Sequence, residues 1–169
     1  MHIRNPFRLP VPLLLFIICA ACTGLISCSN RTAVEKHLHA LNLEYSIDSE
    51  GDYRVRMILD TDREVQVGIK ALAEQMGVNA EVREIWSVAA RIPDALPDGL
   101  AEDLLEDSWS SRGFGAWALA GSTSLGRQVL VYIVRIPEPS TTSILLAALQ
   151  DAAESAQGLH DALKTLEGE

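Results

Sequence analysis

Two short stretches of the chain alternate between apolar and polar positions. Tyr53, Val55, Met57 and Leu59 are interleaved with Arg54, Arg56, Ile58 and Asp60. Val65, Val67 and Ile69 are interleaved with Glu64, Gln66, Gly68 and Lys70. A period of two sends alternate side chains to opposite faces, so both stretches predict half-buried strands. Asp60-Thr61-Asp62-Arg63 predicts the turn between them, and pairing Leu59 with Val65 and Met57 with Val67 keeps the apolar faces together. An earlier strand near Leu43 to Asp48 joins through a turn at Ser49 to Asp52. A further strand covers Val82 to Ile92, with Val82, Trp86, Val88, Ala90 and Ile92 expected on one side. Ala71 to Ala80 fits neither period: it begins with helix-favouring residues and is broken by Gly77 and Asn79.

Elsewhere the period is helical. Thr32-Ala33-Val34-Glu35 is a capping box, and Val34, Leu38 and Leu41 then share one face. Beyond Pro93 to Asp98, Leu100, Leu104 and Leu105 give a second helix its apolar stripe, which Gly113 can end. Phe114 to Ala120 and Arg127 to Ile136 predict a hairpin whose second strand is apolar on both faces. Pro137-Glu138-Pro139 ends the sheet, and Ser140 is a candidate cap for a last helix. There Leu145, Leu149, Ala152, Ala156, Leu159, Leu163 and Leu166 form one seam. Docking of that seam across the sheet of the same chain is preferred to a helix–helix dimer. The expected class is α+β: an antiparallel sheet of about five to six strands against a short N-terminal, a middle and a long C-terminal helix.

Charge separates the first residues from the rest. Arg4 and Arg8 precede Leu9 to Ser27, which carries no charge. A positive start, an apolar middle and small residues at the end form a secretory signal pattern, and the run also has the length of an uncleaved anchor. All three cysteines, Cys19, Cys22 and Cys28, lie here. Leu25-Ile26-Ser27-Cys28 resembles the bacterial lipobox, which implies cleavage between Ser27 and Cys28 and acylation of the Cys28 thiol. The expected division is a signal over 1–27, a lipidated tether over 28–31 and one domain over 32–169. Processing would leave no free thiol, a sound state for an oxidising compartment. Formal charge is −9 for the whole chain; removing Arg4 and Arg8 makes it −11. Such a domain is repelled by anionic lipid, so the acyl group must supply attachment. The same charge argues against nucleic acid.

Candidate chemistry is sparse. His37 and His39 would point about 200° apart on a helix, so they do not chelate together, and His160 stands alone. Asp60-Thr61-Asp62 lacks the glycine and glutamate of a calcium loop. Gly121 to Arg127 resembles a phosphate loop but lacks its lysine and leads into a strand. No nucleophile elbow appears. No metal, cofactor or catalytic residue is expected. Arg54 and Arg56, with Gln66 and Lys70 across from them, form a basic strip suited to an acidic peptide or another subunit, or paired with Glu64 and Glu84 as an ordinary solvated face.

The segment Phe114 to Leu119, the strand Val129 to Ile136, Pro139-Ser140-Thr141-Thr142 and the long Leu/Ala helix resemble the YbjN family, itself related in fold to the type III secretion chaperones. The resemblance spans roughly residues 32–167. It implies an often dimeric domain that binds proteins or peptides and is not an enzyme. The family's known members are cytoplasmic, whereas this chain carries an export signal, so only the binding role transfers. The expectation is a lipid-anchored envelope protein facing the periplasm or in the outer membrane, where Ser29 after the cysteine resembles the outer-membrane sorting pattern. Its partner is an unidentified protein or a second copy. The alternatives are a periplasmic small-ligand or lipid carrier, or a signal-anchored chaperone-like protein.

Overall fold

A computed structural model describes residues 33–59, 62–77, 79–92, 96–110, 114–121 and 128–167. In chain order the elements are α1 (33–40), β1 (Tyr45–Ile47), β2 (Tyr53–Ile58), β3 (Glu64–Ile69), β4 (Glu74–Met76) and β5 (Ala80–Ile92). There follow α2 (Leu100–Ser110), β6 (Gly115–Ala120), β7 (Gln128–Glu138) and α3 (Thr142–Glu167). The class is α+β. All seven strands join one antiparallel sheet, in the order β1-β2-β3-β5-β7-β6 with β4 also on β5. The additional strand is β4, in the stretch that fitted neither period. Gly77, at φ 73°, supplies the left-handed residue that lets β4 turn back into β5.

α3 crosses one face of the sheet. Its Leu145, Leu149, Ala152 and Ala156 are buried, and the first three join Tyr53, Val55, Ile69, Ile85 and Val134 in the main core. The alanines let the helix approach the strands closely, and the Leu145 to Ala156 part of the seam docks within the same chain, while Leu159 and Leu163 beyond it are half-buried. Thr141 Oγ1 accepts from the Ile144 amide (3.3 Å), so Thr141, not Ser140, caps α3. Val34 and Leu38 of α1 join the main core, and His37 Nδ1 meets Thr142 Oγ1 (2.7 Å). A smaller core gathers Ile92, Leu104 and Leu130 beneath α2. There Leu104 faces inward, and its neighbour Leu105, expected in the same stripe, is 71% exposed. Adjacent helical residues stand about 100° apart, so Leu104 reaches Ile92 and Leu130 while Leu105 points outward. Among the described residues, no helix is long and apolar enough to cross a membrane.

Two sequence expectations are corrected. Met57 faces Val65 and Val55 faces Val67, two residues from the expected β2–β3 register. Asp62 adopts φ 56°, and Leu59 N–H donates to the Arg63 carbonyl (2.9 Å), which fixes the loop. An even shift leaves every side chain on its expected face, so alternation alone does not detect it. The second correction is in β5. Its core positions are Arg83, Ile85 and Ser87, opposite Ile136, Val134 and Tyr132. The register then shifts between Val88 and Ala90, and this bulge turns Ala90 and Ile92 toward the smaller core. Val82, Trp86 and Val88 therefore lie on the other face, away from α3.

Two polar groups on the core side of β5 have partners that explain them. Ser87 Oγ donates to the Gln66 carbonyl (3.2 Å). Arg83, 1% exposed, sits where the chain breaks between β3 and β4. Its Nη1 donates to the Lys70 and Ala71 carbonyls (2.7 and 2.9 Å), and its Nε donates to Glu138 Oε2 (2.8 Å). The guanidinium thus satisfies carbonyls at the interruption and joins β7 to it.

Candidate functional site

The four residues of the basic strip lie on the face opposite α3, as their alternation requires. Arg54 faces Gly68, Arg56 faces Gln66, and Lys70 follows directly after β3. Each cation has a carboxylate partner. Arg54 binds Asp48 (2.8 Å), and Arg56 binds Glu64 (2.7 Å) and Glu44 (3.1 Å). Lys70 binds Asp52 (2.9 Å), whose other oxygen accepts from the Ala71 amide. Glu84 pairs instead with Arg135 (3.1 Å). The strip is a charge-balanced lattice, not a run of free cations.

These partners shift the titrations. The hydrogen bond that Lys70 donates to Asp52 raises it above its ordinary value, against the opposing effect of burial. Glu64, then Glu44, raises Arg56. At Asp48 burial acts upward, but the Arg54 guanidinium and the Asp52 and Glu50 amides outweigh it and hold the carboxyl low. Asp48, Arg56 and Lys70 stay charged at neutral pH.

Trp86 lies at the centre of this face. Arg54 Cζ is 4.9 Å and Lys70 Nζ 5.3 Å from the indole centroid, both within cation–π range. The indole covers Gly68: a Cβ there would stand 2.3 Å from Trp86 Cε2. The sequence reading put Trp86 on an apolar side and missed its place in the strip. The available signal was Gly68, an isolated glycine in a strand pattern, which marks close approach by another group.

Beside Trp86 the sheet opens. β3 and β5 pair through Val67–Ser87, Gly68–Trp86 and Ile69–Ile85, and then diverge as β5 bulges. Between them is a notch of about 530 Å³, with Gln66 and Glu64 on one wall, Val88 and Arg91 on the other, and His160 at the α3 side. His160 Nδ1 lies 3.0 Å from the Ala89 carbonyl. A carbonyl only accepts, so Nδ1 carries the proton and the ring is fixed against the bulge. The notch offers strand edges, an aromatic face and guanidinium groups. These are the means of holding an extended chain or a flat polar group.

The other sequence candidates are dispersed. His37 is bonded to Thr142, and His39 stacks edge-on against Tyr45. Among the described residues, no three His, Cys, Asp or Glu side chains gather as a metal set. Ser27, Cys28, Thr32, Asp60, Thr61, Gly113 and Ser122 to Arg127 lie outside the described residues. Comparison with protein-family models, with curated proteins and with solved structures finds no match to this chain.

Proposed function

We infer that the chain is a lipid-anchored envelope protein whose domain is a non-catalytic module for binding a protein or peptide. The observation that carries the binding role is the Trp86 platform beside the notch between β3 and β5. A peptide laid there meets separated strand edges, an indole face, and cations held in fixed positions by their own carboxylates. The anchor rests on Leu25-Ile26-Ser27-Cys28, with the acyl group on Cys28. The resemblance to the YbjN family supports the binding role. A carrier would need an apolar cavity between the sheet and α3, and Tyr53, Ile69, Leu149 and Ala152 fill that space with no exposure.

The test has two parts. Intact mass of the membrane-extracted protein, beside a Cys28→Ala variant, reads the anchor: a chain beginning at Cys28 with acyl mass, lost in the variant, supports it, and an unacylated full-length mass removes it. A photoreactive residue at Gln66 reads the site in cells. One discrete adduct that disappears with Trp86→Ala supports the platform; adducts indifferent to Trp86 overturn it.

Self-association is a second reading, favoured by the β6 edge. That strand reads GAWALA, with no charge and no proline; Leu119 within it and Phe114 just before it are exposed. Sedimentation of the full chain in detergent, beside Leu119→Lys, decides it: a dimer that dissociates in the variant supports pairing of two β6 edges, and a monomer in both removes it.

A further inference from the structure

α2 and α3 do not pack together through their facing sides. α2 rests on β6, and between the two helices runs a groove of about 490 Å³. Its apolar surface comes from Leu100 and Leu104 of α2, Leu159 and Leu163 of α3, and Trp117 of β6. Positions 100, 103, 104 and 107 are one helical face, and so are 151, 155, 158, 159 and 162 on α3. The α3 face is low at its middle, where Ser155, Gly158 and Ala162 stand. Two helices therefore present facing stripes along the groove, where the side chains of a docked segment could seat. From Asp151 to Leu163 the wall is about 18 Å long, about three turns of a docked helix.

Charge selects the occupant. Asp103 and Asp107 stand on the α2 wall, Asp151 and Glu154 on the α3 wall, and among the described residues no lining side chain is basic. Asp107 accepts from Trp117 Nε1 (2.8 Å), and Asp151 accepts from the Tyr132 hydroxyl (3.2 Å), so these two are fixed against the sheet. Asp103 and Glu154 are exposed at the rims. α2 has no basic residue in its last turn, and Asp107 lies near that carbonyl end, where the helix dipole disfavours an anion. A cation brought to the groove relieves that repulsion as well as pairing the rims.

We propose that the groove between α2 and α3 is a docking site for a cationic amphipathic helix, its apolar side on Leu100, Leu159, Leu163 and Trp117 and its lysines or arginines on Asp103 and Glu154. This surface is separate from the Trp86 platform and uses neither the notch nor the lipid anchor, so either site can fail without the other. The probe is a fourteen-residue peptide of leucine and lysine at helical spacing, with one photoreactive residue on its apolar side, added to the full chain in detergent. A scrambled peptide of the same composition is the control. Cross-links are expected within the facing stripes of α2 and α3, and the scrambled peptide is expected to bind about tenfold more weakly. The double variant Asp103→Asn/Glu154→Gln is expected to weaken binding about tenfold at low salt, the upper range for two exposed rim pairs. Glu35→Gln/Glu74→Gln changes the charge equally at distant positions and is expected to leave binding unchanged. Equal weakening by the two double variants, equal binding of the scrambled peptide, or cross-links spread over the surface would each mean bulk attraction to an acidic protein and overturn the proposal.

Discussion

Gly68 has no side chain because the Trp86 indole occupies that space. Any Cβ must push the ring away from Arg54 and Lys70. Gly68→Ala is therefore expected to cost about 1–3 kcal/mol, the usual range for overpacking, and to shift the Trp86 indole N–H resonance. Urea unfolding and a proton–nitrogen spectrum check both, and an unchanged midpoint with an unmoved resonance would refute the account. Arg83 poses the opposite problem, because its removal leaves partners behind. Arg83→Met strands Glu138 and the carbonyls of Lys70 and Ala71 in or near the interior. The expected loss is about 3–5 kcal/mol, with part recovered when Glu138→Gln is added. A single-variant loss below about 1 kcal/mol would mean that the guanidinium does not hold the strand break together.

Between elements, the tip of the β2–β3 hairpin is fastened to α3 by an ion pair between Arg63 and Asp161. At Asp161 burial acts upward, but bonds from Arg63 and Gln157 outweigh it and hold the carboxyl below the ordinary carboxylate range. A depressed folded value stabilises above the unfolded value, and that contribution is lost as pH falls through the folded one. The urea midpoint of Asp161→Asn is therefore expected to lie below that of the native protein at neutral pH, and the gap to close as pH drops well below about 4. A gap independent of pH would rule out the carboxylate as its source. The contrast between legible and hidden features also belongs to this scale. β2, β3 and the α3 seam were readable because one face of each is wholly apolar. β5 was not, because its core face carries Arg83 and Ser87 and its outer face carries Val82, Trp86 and Val88. Partners from β3, β7 and the chain break make those polar residues tolerable inside, and no local pattern encodes such partners. The polar strip was legible for the same reason as the strands, but its carboxylate partners Asp48 and Asp52 belong to a turn outside the alternating segments. The facing stripes of α2 and α3 were half legible. The seam was clear, but whether two helices meet or stand apart depends on how each rests on the sheet.

At the scale of the whole molecule, the proposed acyl group and the first helix are close in sequence. Four residues lie between Cys28 and Ala33, and the five steps reach at most about 18 Å. α1 is joined to the start of α3 through His37 and Thr142, so a lipid on Cys28 keeps that end of the domain near the bilayer. α3 then runs 26 residues, about 39 Å, away from this point. The net charge of the domain repels anionic headgroups, which favours α3 standing away from the surface over lying along it. Spin labels at Ser143 and Lys164, both exposed, measure the outcome in lipid vesicles with a headgroup-bound quencher. Strong quenching at position 143 and little at 164 is the expected pattern, and it would leave the Trp86 platform and the α2–α3 groove clear of the bilayer. Equal quenching at the two positions would mean that α3 lies along the membrane. Cys28→Ala should abolish quenching at both positions; if it persists, the domain meets lipid through its own surface and the tether is not what holds it there.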